Sequence, residues 1–284
     1  MTTPSSKQPA LYINDPELNQ RLVSRRDAIT RGATISAAAA AGLRLASIPV
    51  ALAAVASDAF GQGRLPAVVN GVLNFALVLE YLENEFYVKG LAAPRLIPAG
   101  DRTIFETIAS HETGHVNFLV TTLGPSARPK PTFDFTAGGG SGTGPYADVF
   151  TNYATFLAVS QAFEDTGVRA FKGQAPVVMA YKPILTAALT IHSVEARHAA
   201  EVRRLRGNFA DQEPLYQGWI NSNLTDVPGG AATYAGEENT TQLGINLTTL
   251  PSLSAISADE ITEAFDEPLT MQQVLAIVSP FLAA

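Results

Sequence analysis

The segment "HETGH" at residues 111–115 places two of the chain's four histidines beside a glutamate, and "EARH" at 195–198 repeats its Glu-x-x-His spacing. On an α-helix, side chains three residues apart lie on the same face, one turn from each other. Each pair would therefore present one carboxylate oxygen and one imidazole nitrogen in the same direction. This pattern indicates a metal site built on helices.

Four long segments of helical periodicity contain or flank these motifs. They are predicted at about 66–92, 103–123, 148–172 and 183–205, with Pro66 in an opening turn, Gly90 near a frayed end, and Asp101 or Thr103 as an N-cap. The connection between the second and third segments, "GPSARPKPTFDFTAGGGSGTGPYA", is much longer than the other two. The sequence therefore predicts an all-α four-helix bundle with one long crossover between helices 2 and 3.

The apolar stripe of each predicted helix carries a glutamate near its middle, and the second and fourth stripes also carry a histidine. These residues are Glu80, Glu112, His115, Glu164, Glu195 and His198. Four ionised carboxylates facing one another in a core would be strongly unfavourable, and no lysine or arginine lies on the stripes to offset them. Two divalent metal ions supply the missing charge. Carboxylate and imidazole ligands suit both manganese and iron, and the chain has no cysteine that could provide a thiolate.

Four sequence motifs between residues 66 and 207 carry a resemblance to a known family. They are "NFALVLEYLENEFY", "HETGHVNFL", "SQAFEDTGVRAF" and "IHSVEARHAAEVR". At these motifs the chain resembles the ferritin-like superfamily, and more closely the secreted ferritin-like proteins that include the plant desiccation-related proteins. The resemblance implies a ferritin-like four-helix bundle at 57–207. A loop-rich C-terminal extension at 208–284, with two short amphipathic helices, is expected to pack on it.

The same resemblance implies that the six residues on the stripes are the metal ligands. Glu112 and Glu195 are expected to bridge the two ions, with Glu80 and Glu164 terminal. The spacing from Glu80 to Tyr87 is similar to that in the first helix of bacterioferritins. The position that follows Glu164 at the same spacing is occupied by Phe171. Only one half of the bundle would therefore contain a relay tyrosine.

Several neighbouring residues have more than one interpretation. Glu83 and Glu85 are alternatives to Glu80 as ligands, but both lie off the stripe. Four other side chains either contact and orient ligands or simply pack in the core: Tyr87, Asn84, His111 and His192. A mononuclear zinc hydrolase using His111 and His115 is disfavoured, because it would leave the other glutamates unexplained.

The N-terminal segment "SRRDAIT" at 24–30, followed by an alanine-rich stretch, resembles a twin-arginine export signal. We predict a signal at residues 1–56 and a periplasmic or secreted protein. A transmembrane anchor is disfavoured because Arg44 and Pro49 interrupt the weakly apolar stretch, and no stable anchor is expected after signal removal. A net charge of −7 and the absence of a basic stripe exclude nucleic acid as an expected partner. The apolar end of the last helix favours a homodimer.

These features favour an exported redox protein that acts on a small oxidant, either hydrogen peroxide or dioxygen. The simplest activity is a manganese-catalase-like dismutation of peroxide. Oxidation or sequestration of Fe(II) is one alternative. The other is a non-catalytic stress or desiccation-related protein whose metal ions staple the bundle.

Overall fold

Four long helices form the bundle in the computed structural model, which describes residues 65–207 and 217–283. They are α1 (Ala67–Ala92), α2 (Arg102–Leu123), α3 (Tyr153–Gln174) and α4 (Lys182–Gly207). Helix α1 packs along α2, α3 packs along α4, and α1 also contacts α3. The long crossover joins α2 to α3, which confirms the predicted all-α bundle. None of the helices in the described ranges is long and apolar enough to cross a membrane. The predicted signal at 1–56 lies outside these residues.

The start of α3 was predicted too early. Residues 148–151 form a turn in which the amides of Thr151 and Asn152 donate to the carbonyl of Asp148. The Asn152 side chain then caps the helix by accepting hydrogen bonds from Ala154 N at 3.0 Å and Thr155 N at 3.4 Å. The helix therefore begins at Tyr153, because an asparagine N-cap satisfies its first free amides.

Asp101, one of the two N-cap candidates of α2, occupies the N-cap position. Its side chain, however, accepts no hydrogen bond from the helix amides. Its carboxylate instead accepts a hydrogen bond of 2.8 Å from the Tyr153 hydroxyl at the start of α3. Thr103 lies inside the helix. Asp101 thus joins two helices of the bundle.

Gly90 lies in the last turn of α1, near the end of the helix as predicted, and it also has a packing role. A Cβ atom at this position would stand 2.4 Å from Cε2 of Phe156 in α3. The Phe156 ring in turn stacks on Phe86, with ring centroids 4.8 Å apart. Glycine at position 90 therefore allows α1 and α3 to approach closely around this aromatic pair.

Two apolar clusters fill the two ends of the bundle. The first is rich in aromatic rings and includes Phe86, Phe105, Phe156 and Phe163. The second is mostly aliphatic and includes Leu73, Leu77, Leu119, Ile184 and Ile191. The four stripe glutamates lie between the clusters in each helix sequence, so any polar centre they form is enclosed by apolar packing on both sides.

The C-terminal extension contains short elements joined by loops. The two predicted helices are confirmed, and each begins with a capping box, formed by Ser257 with Glu260 and by Thr270 with Gln273. The regular elements of the described extension are α5 (Ala231–Tyr234), β1 (Thr241–Gln242), β2 (Ile245–Asn246), α6 (Ala258–Thr262) and α7 (Met271–Val278). Strands β1 and β2 pair antiparallel. Single 3-10 turns lie at Gly124–Ser126, Leu247–Thr249, Pro251–Leu253 and Ser279–Phe281.

The crossover between α2 and α3 pairs with the C-terminal residues. Phe133 and Leu282 form an antiparallel bridge, flanked by a 2.9 Å hydrogen bond from Ala283 N to the Thr132 carbonyl. The Asp134 carboxylate accepts hydrogen bonds of 3.0 Å from the amides of Gly140 and Gly142. The glycine-rich part of the crossover is therefore held by hydrogen bonds from its backbone amides to the Asp134 side chain.

The extension also covers the outer face of α3. The Arg169 side chain is fully buried there, with its Nε 2.7 Å from a Glu237 carboxylate oxygen and its Nη2 2.7 Å from the Ala235 carbonyl. The Asp165 carboxylate accepts a 2.7 Å hydrogen bond from the Tyr234 hydroxyl. Helix α3 is thus buried on its outer face by polar contacts and on its inner face by the bundle.

We expect Arg169→Ala to lower the free energy of unfolding by about 3–5 kcal/mol, because it leaves the buried Glu237 carboxylate without its cation. Urea denaturation measures the loss. The matched control is Arg204→Ala, which breaks an exposed ion pair with Glu201 and should cost less than about 1 kcal/mol. Similar losses in the two variants would contradict the structural importance of the Arg169 contact.

Candidate metal centre

The six predicted ligands converge midway along the bundle. The four glutamates are fully buried, while His115 and His198 are 7% and 4% exposed. They form two groups, and within each group one ligand atom from every residue lies within 4.8 Å of the others. The first group is Glu80, Glu112, His115 and Glu195, and the second is Glu112, Glu164, Glu195 and His198. Glu112 and Glu195 belong to both groups, which is the arrangement expected of bridging carboxylates.

In the first group, the His115 Nδ1 atom faces three carboxylates at once. It lies 3.1 Å from a Glu80 oxygen, 3.3 Å from a Glu112 oxygen and 3.0 Å from a Glu195 oxygen. One imidazole nitrogen carries at most one proton, so it cannot donate to all three. Two ligands that each lie about 2.1 Å from an ion at right angles are about 3 Å apart, which fits this spacing.

The second group repeats this geometry. His198 Nδ1 lies 3.0 Å from Glu112, 3.3 Å from Glu164 and 3.3 Å from Glu195. The two Glu-x-x-His pairs of α2 and α4 therefore create two similar ligand groups, which share the carboxylates of Glu112 and Glu195.

Several atoms of the centre are buried without a hydrogen-bond partner. A buried polar atom left in this state is costly, and natural proteins rarely tolerate a cluster of them. The unpartnered atoms are Glu80 Oε1, Glu112 Oε1, Glu164 Oε2, both carboxylate oxygens of Glu195, and His198 Nδ1. Metal ions between these atoms would satisfy them, so the residues present fit a pair of cations.

No fixed positive side chain neutralises the centre. The buried guanidinium groups of Arg169 and Arg203 pair with Glu237 and Asp165 on the outer side of α3. Among residues 65–207 and 217–283, no lysine or arginine forms an ion pair with the four glutamates. Within these residues, the centre can therefore be neutralised only by protons or by bound cations.

The pKa values show how protons would fill the centre. Burial raises the pKa of Glu164 to about 8, against the opposing charge of His198. Burial also raises the pKa of Glu80 well above its ordinary value. For His198, burial lowers the pKa, but the negative charge of Glu164 and the close carboxylates of Glu112 and Glu195 raise it to about 12. Cations that bind here must displace these protons.

Residues 69–208 match the family model described as the ferritin-like domain. This segment is a ferritin-like domain. The match spans nearly all of the four long helices and includes all six converging residues. Among curated proteins, no match to the chain is found.

Tyr87 holds one terminal carboxylate of the ferritin-like domain. Its ring is fully buried in the aromatic cluster, and its hydroxyl donates a hydrogen bond to Glu164 Oε1. Burial, followed by the charge of Glu164, raises the pKa of Tyr87 well above its ordinary value. The hydroxyl therefore remains a donor. Phe171, at the corresponding position of α3, offers no hydroxyl to Glu80, so the contact is one-sided as the sequence indicated.

His111 contacts one of the two histidines of the centre. Its Nδ1 atom lies 2.9 Å from His198 Nε2, and the two rings are nearly parallel at a centroid distance of 5.2 Å. With a metal ion on His198 Nδ1, the ring proton would lie on Nε2, which would donate it to His111. The contact between the two rings orients His198.

Two other candidates from the sequence lie away from the centre. His192 Nδ1 lies 3.0 Å from the Val168 carbonyl, and neither atom belongs to the converging set. The Asn84 amide donates a 2.8 Å hydrogen bond to Thr113 Oγ1 on the exposed side of α1 and α2. Of the two interpretations given above, these hydrogen bonds agree with packing against other neighbours rather than with contact to the six converging residues.

Glu83 was placed off the stripe, yet its side chain is buried beside the centre. It is 3% exposed, and its Oε2 atom has no hydrogen-bond partner. Burial, and then the charges of Glu195 and Glu164, raise its pKa well above the ordinary value. It belongs to neither group of four. The signal that could have found it is its spacing of three residues from Glu80, which places both on one helix face.

We expect His111→Ala to weaken divalent metal binding about 10–100-fold, because His198 loses the partner that orients it. Competition with a chelator for Mn²⁺ measures the affinity. His192→Ala is the matched control and should bind as the wild type does. Equal affinities for both variants would show that the contact between His111 and His198 has no influence on the centre.

Proposed function

We propose that the ferritin-like domain holds two divalent ions, manganese or iron, and uses them in peroxide or dioxygen chemistry. The most direct activity is dismutation of hydrogen peroxide. The observation that carries this proposal is that Glu112 and Glu195 belong to both ligand groups. Two shared carboxylates would hold two ions close together. When bound, such a pair supplies two adjacent redox centres for the two oxygens of one small substrate.

The protein's own residues would define the surroundings of this chemistry. Glu80 and His115 complete one ligand group, and Glu164 and His198 complete the other. Tyr87 fixes the position of Glu164 through its hydroxyl. The two apolar clusters on either side of the centre exclude bulk water along the bundle axis. A substrate confined in this way meets ligands that are already in place.

The histidine side offers the shortest route from solvent. All four glutamates of the centre are fully buried, whereas His115 and His198 retain 7% and 4% exposure. His111, next to His198, is exposed. We propose that a small oxidant enters here, because a molecule the size of peroxide needs only a narrow opening.

A second candidate function rests on the burial of the carboxylates. Enclosing four of them between apolar clusters disfavours the metal-free fold, so bound ions would add directly to stability. A stress protein that bound metal ions stabilise in this way needs no catalytic turnover. Oxidation of Fe(II) would use the same ligands, but Fe(II) would be the substrate that is consumed, with dioxygen or peroxide accepting its electrons.

We further propose that the protein is exported through the twin-arginine pathway to the periplasm or the medium. The support is the segment "SRRDAIT" and the alanine-rich stretch after it. This pathway carries folded proteins, which suits a centre that is closed once the bundle has formed.

Elemental analysis of natively purified protein tests the metal centre first. We expect about two manganese or iron ions per chain, as a pair of catalytic ions requires. The double variant Glu112→Ala and Glu195→Ala should lose both, since it removes the shared ligands. The double variant Glu106→Ala and Glu201→Ala is the control, because it removes two glutamates from the outer surfaces of the same helices. Metal-free wild-type protein would refute the proposal.

Oxygen release from hydrogen peroxide then separates the candidate functions. A redox enzyme should release oxygen in the wild type and lose this activity in the double variant. For a staple, chelation should lower the melting temperature of a protein that shows no turnover. Formation of Fe(III) without oxygen release would instead support iron oxidation.

A further inference from the structure

We infer that Glu83, which lies against Gly167, is a fifth carboxylate ligand of the metal centre. It binds when the two bound ions carry five positive charges in total. This inference rests on the proposed function, because it concerns the same pair of ions. It goes beyond the six residues of the two ligand groups and assigns a buried side chain that neither group uses.

The first observation is that Glu83 has no partner suited to a buried carboxylate. The residue is 3% exposed, and its Oε2 atom makes no hydrogen bond. No lysine, arginine or histidine forms an ion pair with it in the part of the chain that the structure describes. A carboxylate that is desolvated and left without a hydrogen bond or a cation is costly. Such a side chain persists more readily if it serves a bound ion.

The second observation is that the fold leaves room for this carboxylate at the centre. A Cβ atom at Gly167 would stand 3.2 Å from Glu83 Oε1 and 3.6 Å from Glu195 Cγ. Glu83 and the shared ligand Glu195 therefore flank the same point of α3. A Cβ at position 167 would be tight against Glu83 but in ordinary van der Waals contact with Glu195.

The internal pairing of the helices supports the same assignment. Glu83 follows Glu80 by three residues in α1, and Gly167 follows Glu164 by three residues in α3. The two positions correspond in the two halves of the bundle. Helix α1 provides the extra carboxylate of Glu83. Helix α3 provides Gly167, which has no side chain and so leaves room for that carboxylate. The centre is therefore asymmetric, with the additional negative charge supplied by α1 alone.

The charge balance indicates what a fifth carboxylate does. Four ionised glutamates and two neutral imidazoles balance two divalent ions. Oxidation of one ion to the trivalent state adds one positive charge, which a fifth carboxylate balances. Binding of Glu83 should therefore favour the oxidised state over the reduced state and lower the reduction potential of the centre.

The decisive experiment uses the full chain loaded with iron or manganese and compares the wild type with Glu83→Gln. The substitution keeps the shape of the side chain but removes its charge. We expect a higher reduction potential in a spectroscopically monitored redox titration, with the affinity for Mn²⁺ changed less than about threefold. Glu106→Gln removes an exposed charge from α2 and should leave both quantities unchanged.

Gly167→Ala provides an independent test, because its Cβ would displace the Glu83 carboxylate. It should raise the potential of the wild type but add little in the Glu83→Gln background, as expected for two changes that act through one contact. A wild-type potential in both single variants, with two ions still bound, would overturn the inference and leave the proposed function intact. A wild type that binds no metal would overturn both.

Discussion

Neutralisation of four buried carboxylates is the constraint on which the rest of the bundle depends. Helices α1 to α4 each bring one glutamate to the same level, and no lysine or arginine in the described part of the chain pairs with them. Hydrophobic packing above and below the centre must hold these charges together against their repulsion. The aromatic and aliphatic clusters provide that packing, so the geometry of the centre depends on the hydrophobic core. Stability and metal binding are consequently linked.

Much of the bundle could be predicted because helical periodicity is local. The stripes of α2 and α4 were correctly located from spacing alone. The burial of the outer face of α3 could not be predicted, because Asp165 and Arg169 look like solvent-facing residues until the extension is placed over them. Their burial depends on contacts with residues more than sixty positions away, such as Tyr234 and Ala235. The close approach of two helices at Gly90 could not be predicted for the same reason, since it involves Phe156 on another helix.

The centre shows a similar division. The Glu-x-x-His pairs could be found because both members lie in one helical turn. Glu83 was placed off the stripe because an apolar stripe on α1 can pass from Glu80 to Asn84, four residues on, and then to Tyr87, three residues on. In the structure the buried face passes instead from Glu80 to Glu83, three residues on, and then to Tyr87, four residues on. Both paths reach Tyr87, and only the rotation of α1 against its neighbours decides between them.

The bridge between Phe133 and Leu282 has a consequence for the order of folding. Its two residues lie more than one hundred positions apart in the sequence. The helices within each pair, α1 with α2 and α3 with α4, meet over shorter separations, whereas this bridge must close a long loop. We therefore expect the crossover to be fastened late in folding. A molecule in which this contact has not yet formed would present the crossover unpaired, which gives proteases a structural means of recognising an incompletely folded product.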